Sequence, residues 1–245
     1  MESNTNTTYA RILVVEDEPF QRRILSAVLR SKGFGRICEA DSGAAAISLL
    51  ETEIINTVLS DVEMPGSNGL ELLRQIRSGQ TPVRRDIGFI VLTSHSNTEV
   101  LGAAMALDVN GFIVKPFTTR VLLDKITRTR SETMTLRPES EYLRVVTDLA
   151  SLRKLRLSEQ DDSAENSQPS AAADGLSGRS AIAFADLRVG MRVANNLTAI
   201  DGTVILAAET VLTAALINLL SDLKDLIAGA AVSVYDQSLE PEAQP

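Results

Sequence analysis

Between Arg11 and Arg130 two kinds of apolar pattern take turns along the chain. Short continuous runs come first in each repeat: Ile12-Leu13-Val14-Val15, Arg36 to Glu39, Thr57-Val58-Leu59, Phe89-Ile90-Val91-Leu92 and Phe112-Ile113-Val114. Each is bounded by turn-forming or charged residues, which is the pattern of a buried strand. Between them, apolar residues recur at helical spacing. Ile24, Leu25, Val28 and Leu29 follow Pro19, which suits a helix's first turn, and Gly33 suits the stop. Ser42 caps a helix with Ala45, Ala46, Leu49 and Leu50 on its apolar face. A third helix carries Leu70, Leu73 and Ile76 and is broken by Gly79 and Pro82. A fourth spans about Thr98 to Leu107, with a turn at Asn110-Gly111. The last runs from about Thr118 to Arg130, with Val121, Leu122 and Ile126 inward.

Continuous apolar strands are covered on both faces. Strand–helix alternation with right-handed crossovers therefore predicts an α/β fold, a doubly wound five-stranded parallel sheet. In such a sheet all the strands' carboxyl ends lie on one edge, where ligand chemistry collects. The polar residues fall at those ends. Glu16-Asp17 follow the first strand, Asp61 closes the third, Thr93 the fourth, and Lys115 follows the fifth. Four sequence-distant positions converge on one pocket.

The second half is patterned differently. After Pro138, Tyr142, Val145, Leu149 and Leu152 recur at helical spacing and predict a helix from Glu139 to about Leu157. Residues 158–180 are rich in Ser, Ala, Asp, Glu, Gln and Gly and are expected to be a disordered linker. Order is expected again from Ile182. Strands at Arg192 to Ala199 and Val204 to Glu209 flank the hairpin signal Asp201-Gly202. Thr213 caps a helix containing Leu216, Ile217, Leu219, Leu220 and Leu223, and Val232 to Tyr235 returns as a strand. The organisation read from this is 1–131, an α/β domain; 132–157, a helical connector; 158–180, a linker; and 181–245, a small α+β module near the lower size limit for independent folding.

Composition removes several functional classes. The net charge of −8 argues against a general binder of nucleic acid or anionic membrane. Aromatics are 4% and Trp is absent, so stacking platforms for single strands are not expected. Cys38 is alone, which permits no internal disulfide and suits a reducing cytoplasm. The polar start lacks the pattern of a signal peptide, so none is expected, and no apolar run is long enough to span a bilayer.

The strand-end residues carry the chemistry. Three neighbouring carboxylates repel one another and invite a hard divalent cation, and Mg²⁺ keeps room for water and phosphate oxygens. Lys115 adds a fixed positive charge and Thr93 a hydroxyl donor. A carboxylate, a metal, a cation and a hydroxyl make a site for phosphoryl transfer onto Asp61.

Four motifs resemble the receiver domain of two-component response regulators: Ile12-Leu13-Val14-Val15-Glu16-Asp17-Glu18-Pro19, Ser60-Asp61-Val62-Glu63-Met64-Pro65, Leu92-Thr93-Ser94 and Lys115-Pro116-Phe117. The resemblance covers about the first 130 residues. It implies a flavodoxin-like strand order of 2-1-3-4-5. It implies that Asp61 accepts phosphoryl from a sensor histidine kinase or phosphotransfer protein. Glu16, Asp17, Asp61 and the backbone carbonyl of Glu63 would hold Mg²⁺, and Thr93 and Lys115 would hold the phosphoryl oxygens. Phe112 occupies the aromatic switch position and would turn inward as Thr93 moves. Asn68 stands where the family often has Asp, and Ser94 replaces a commoner Ala. His95, the single histidine, is given no role.

Leu187 to Met191, Asp201 to Leu206 and Glu209 to Thr213 resemble a small module found ahead of HD-GYP phosphodiesterase domains. That enzyme's paired His-Asp metal site cannot be built with one histidine, so no separate catalytic domain is expected. The first reading is a cytoplasmic response regulator whose output is contact with a downstream protein; homodimer formation is left open. The alternatives are a DNA-binding transcriptional regulator and a phosphate sink without output. From Ala181 to Pro245 there are three Lys/Arg and eight Asp/Glu, a net of −5, which disfavours DNA.

Overall fold

The computed structural model describes residues 10–93, 98–152, 179–198, 204–223, 227, 229 and 231–235. These fall into two compact units that divide between Ser151 and Leu152.

The first unit is built on five strands: β1 (Arg11–Val15), β2 (Arg36–Ala40), β3 (Thr57–Asp61), β4 (Gly88–Thr93) and β5 (Gly111–Val114). They form one sheet in the order β2-β1-β3-β4-β5, with every neighbouring pair parallel. That is the expected fold and the expected order. Helices α1 (Pro19–Ser31), α2 (Gly43–Thr52), α3 (Gly69–Arg77), α4 (Thr98–Ala106) and α5 (Thr119–Ser131) make the crossovers.

Local chemistry sets the helix starts. The side chains of Glu18, Ser42, Asn68 and Thr118 each accept a backbone N–H of the first turn, at 2.7, 3.3, 2.9 and 3.3 Å, which satisfies donors the helix itself leaves open. Gly33 ends α1 with φ of 81°, a conformation that costs glycine little. Alternate strand residues face opposite layers. Ile12, Val14, Leu59, Ile90 and Ile113 pack on one face against Leu25 and Leu29 of α1 and Leu122 and Ile126 of α5. Val121, expected inward on α5, is 46% exposed, and Lys125 is buried instead. The inward stripe of α5 is Leu122, Lys125, Ile126 and Thr129, which leaves Val121 outside it, and the lysine stem packs close against the backbone at Gly111.

The single helix expected from Glu139 is replaced by a short one. α6 covers Glu139–Tyr142, turns follow, and the chain is helical again at residues 149–152. The interruption places Tyr142 and Thr147 on separate parts of the first unit, through hydrogen bonds described below. Residues 153–178, which include most of the expected linker, lie outside the described residues.

In the second unit β6 (Arg179–Ala183), β7 (Arg192–Val193) and β10 (Ala231–Tyr235) form an antiparallel sheet in the order β6-β10-β7. In chain order β8 (Leu197–Thr198) and β9 (Val204–Leu206) pair as a separate antiparallel ribbon, and α7 spans Ala214–Leu223. Two expectations are corrected. Arg179 and Ser180 belong to a strand rather than to the linker, because they pair with Tyr235 and Val234. The strand expected over Arg192 to Ala199 is two strands in two sheets. The Ala194 amide donates to the Ser233 carbonyl at 2.8 Å, and the chain bends away there. The Asp201-Gly202 turn is outside the described residues. Among the described residues no helix is long and apolar enough to cross a membrane.

Candidate functional site

The carboxyl ends of β1, β3, β4 and β5 meet as the strand order requires. Asp61 is the last residue of β3 and is 7% exposed. Glu16, just past β1, is 2% exposed, and Asp17 beside it is half-buried. Glu16, Asp17 and Asp61 each bring a carboxylate oxygen within 4.8 Å of the others. Lys115, just past β5, sends its ammonium between them. Its Nζ donates to Glu16 Oε2 at 2.7 Å, to Asp61 Oδ2 at 2.9 Å and to Gln21 Oε1 at 3.2 Å. The Glu63 amide donates to the other Asp61 oxygen, Oδ1, at 3.4 Å. Thr93 ends β4, buried, and its carbonyl accepts the Lys115 amide at 2.8 Å.

The electrostatics follow from burial. Glu16 is held above the usual carboxylate range, first by removal from water and then by the nearby Asp61 charge, with the Lys115 hydrogen bond opposing. For Lys115, burial alone would lower the pKa. Its hydrogen bonds to Glu16 and Asp61 and their charges outweigh that and raise it. The ammonium is therefore firmly charged and firmly held.

Each expected site residue can now be placed. Glu16, Asp17, Asp61 and Lys115 are brought together directly, and the Glu63 backbone lies against Asp61. Phe112 stands on β5 and is 3% exposed in this conformer, so its ring is already inward. Ser94 and His95 are outside the described residues.

Two contributors were not read from the sequence. Arg22 Nη1 donates to the Glu16 carbonyl at 2.6 Å and to the Asp17 carbonyl at 3.3 Å, which fixes the turn that presents both acids. Gln21 is the third acceptor for Lys115. The available signal was position. A helix started by Pro19 returns its first turn to the end of β1, so polar residues at 21 and 22 fall beside the acids.

The oxygen donors fit a hard divalent cation. They are clustered carboxylates on a sheet edge, and among the described residues no softer ligand joins them.

Residues 12–127 match the model of the response regulator receiver domain. Over 116 residues the chain is 34% identical to chemotaxis protein CheY of Pseudomonas aeruginosa, covering 47% of this chain and 92% of that protein. It is 35% identical over 116 residues to chemotaxis protein CheY-3 of Vibrio cholerae, covering 47% and 88%. A CheY homolog of Campylobacter jejuni is 34% identical over 117 residues, again covering 47% and 88%. With the parallel sheet and the acidic strand ends in place, these similarities make the chain a member of the response regulator receiver family through residues 12–127.

Proposed function

We propose that this two-component response regulator accepts a phosphoryl group on Asp61 from the phosphohistidine of a sensor histidine kinase or phosphotransfer protein. The observation that carries the reading is the Lys115 ammonium bridging Glu16 and Asp61 at 2.7 and 2.9 Å across three strand ends. An Asp61 carboxylate oxygen attacks phosphorus, the P–N bond to the donor histidine breaks, and its electron pair stays on the departing nitrogen. Glu16, Asp17, Asp61 and the Glu63 carbonyl would hold Mg²⁺, which neutralises charge on the phosphoryl oxygens. Lys115 passes from Asp61 Oδ2 to a phosphoryl oxygen, a short move for a flexible stem. The Thr93 hydroxyl donates to another. Phe112 is inward while Lys115 is paired with Asp61, so phosphorylation would favour a rotamer the chain already adopts.

Output in this reading is contact with a downstream protein in the cytoplasm. Residues 181–245, which resemble the module found ahead of HD-GYP domains, would supply or support it without catalysis of their own. Their net charge of −5 speaks against DNA as the target.

The test is labelling of the full chain by acetyl phosphate, followed by intact mass. Wild type should gain one phosphoryl group only when Mg²⁺ is present. Asp61→Asn should gain none, and Asp17→Asn should need more Mg²⁺. Normal labelling of Asp61→Asn would show the acceptor to be another residue.

A further inference from the structure

The receiver match ends at residue 127, but the first unit continues to Ser151. The extra segment is bound to the receiver at two places. At one, Tyr142 is fully buried and its hydroxyl donates to Asp108 Oδ2 at 2.6 Å while accepting the Arg137 amide at 2.8 Å. Arg137 Nε reaches the same Asp108 oxygen at 3.2 Å, and its Nη2 donates to the Ala106 carbonyl. The guanidinium groups of Arg137 and Arg85 lie 5.1 and 5.6 Å from the Tyr142 ring centre. At the other, Asn68 Nδ2 donates to the Thr147 carbonyl at 2.8 Å, and Thr147 Oγ1 donates to Glu71 Oε2 at 2.7 Å.

Both places connect to the candidate phosphorylation site through backbone. Asn68 uses its Oδ1 to cap α3 and its Nδ2 to hold Thr147, so one amide serves both. The next residue, Gly69, sits so close to β3 that an added Cβ would lie 2.2 Å from the Asp61 carbonyl oxygen. The Gly69 amide also donates to the Val62 carbonyl at 3.2 Å. The start of α3 therefore rests on the Asp61 backbone with no slack. Asp108 closes the turn after α4, and β5, with Phe112 and Lys115 beyond, follows it directly.

We propose that residues 137–147 are a strap, docked while Asp61 is unmodified and released when it is phosphorylated. The proposal rests on Asp61 being the acceptor. The docked strap coexists with Lys115 bonded to Asp61 Oδ2 at 2.9 Å, a contact that a phosphoryl group on this carboxylate would displace. A phosphoryl group adds bulk and charge at a nearly buried carboxylate. β3 is buried along its whole length, so the loop from Val62 to Ser67 is what yields. That loop ends at Asn68, whose one planar amide holds the Glu71 amide at 2.9 Å and the Thr147 carbonyl at 2.8 Å, so a turn of that amide to follow the cap is drawn away from Thr147. The strap is the last part of the first unit before Leu152, so its release carries the change along the chain towards the second unit. Linkage is reciprocal: whatever weakens the strap must favour the phosphorylated form by the same factor.

Hydrogen exchange of the full chain with Mg²⁺, with and without beryllofluoride, tests this. Amides in 137–147 should exchange about fivefold faster or more once beryllofluoride is bound, the lower range of ordinary coupling. Asn68→Ser keeps a helix cap but cannot hold Thr147, and Tyr142→Phe removes the contact to Asp108. Both should speed exchange of 137–147 without beryllofluoride and tighten beryllofluoride binding. A response at 61–68 with unchanged or slower exchange at 137–147 overturns the strap. So does wild-type beryllofluoride affinity in both variants. No response at 61–68 overturns the Asp61 reading, and the strap proposal with it.

Discussion

Arg77 is the most informative residue to replace. It sits in the last turn of α3, fully buried, with its guanidinium spread over four acceptors. Nε and Nη2 donate to the Asp108 carbonyl at 3.2 and 3.1 Å, and Nη2 also reaches Asn110 Oδ1 at 3.0 Å. Nη1 donates to the Ile87 carbonyl at 3.0 Å and to that of Arg85. Burial lowers its pKa to about 10, so it stays charged at neutral pH. Arg77→Met preserves much of the volume and removes every donor. Asn110 Oδ1 keeps the Phe89 amide, but three carbonyls lose the guanidinium, at about 1–3 kcal/mol for each that stays dry. Part returns through apolar burial of the methionine, so a net loss of about 3–5 kcal/mol is expected from the carbonyls left without a donor. For a unit of this size that lowers Tm by roughly 6–20 °C. Arg77→Lys keeps charge with fewer, unforked donors and should lose roughly half as much. Far-UV circular dichroism during heating and in urea reads both. Asp108 is shared ground, its carbonyl held by Arg77 and its carboxylate by the strap, so Arg77→Met and Tyr142→Phe should be non-additive. A loss below about 1 kcal/mol for Arg77→Met would refute the reasoning, because the carbonyls would then have other donors.

Gly69→Ala should destabilise by about 1–3 kcal/mol or more, because its Cβ would be driven into the Asp61 carbonyl; urea unfolding measures it, and slower acetyl phosphate labelling should accompany it. Glu71 should make strap docking acid-sensitive. Burial pushes its pKa up, but hydrogen bonds from Arg74, Thr147 and Gln75 bring it below the ordinary carboxylate range. Its contribution is then complete above that range and is lost as pH falls through the lowered value. Strap exchange, corrected for intrinsic rates, should accelerate there, and less so in Thr147→Val. Thr93→Ala should still take phosphoryl on Asp61 but show a reduced exchange response in residues 98–125, read by the same beryllofluoride comparison.

The sheet and its polar edge were legible because both rest on local signals. Continuous apolar runs mark buried strands, and a carboxylate, threonine or lysine at the end of such a run has one edge to occupy. Arg77 was not legible. In sequence it is an ordinary cation at a helix carboxyl terminus, and nothing nearby announces that the turn at Asp108 will present its carbonyl. The stripe Tyr142, Val145, Leu149 and Leu152 has helical spacing, yet the helix stops at Tyr142. Hydrogen bonds from Tyr142 to Asp108 and from Thr147 to Glu71 outweigh a weak local preference. Val121 failed for a related reason. Aliphatic residues at 121, 122 and 126 suggest one inward face, but the buried stripe takes in the stem of Lys125 and leaves Val121 out. The split of the Arg192 to Ala199 run depends on β10, some forty residues later, and no local pattern encodes it.

The Lys115 bridge has a consequence for selectivity among ions. With all groups ionised, and counting only the side chains that meet at the carboxylate oxygens (Arg22 holds the backbone carbonyls instead), Glu16, Asp17 and Asp61 bring three negative charges and Lys115 returns one positive, so two remain uncompensated. A doubly charged cation cancels that remainder, a singly charged one leaves half of it, and a trivalent one overshoots. Valence alone would therefore sort sodium from magnesium before size or coordination geometry is considered. Removing the lysine charge would move the balance point to three, which turns a site suited to divalent ions into one that favours lanthanides. A lanthanide titration of Lys115→Met against wild type would show that change as tighter binding, even where phosphorylation itself is lost.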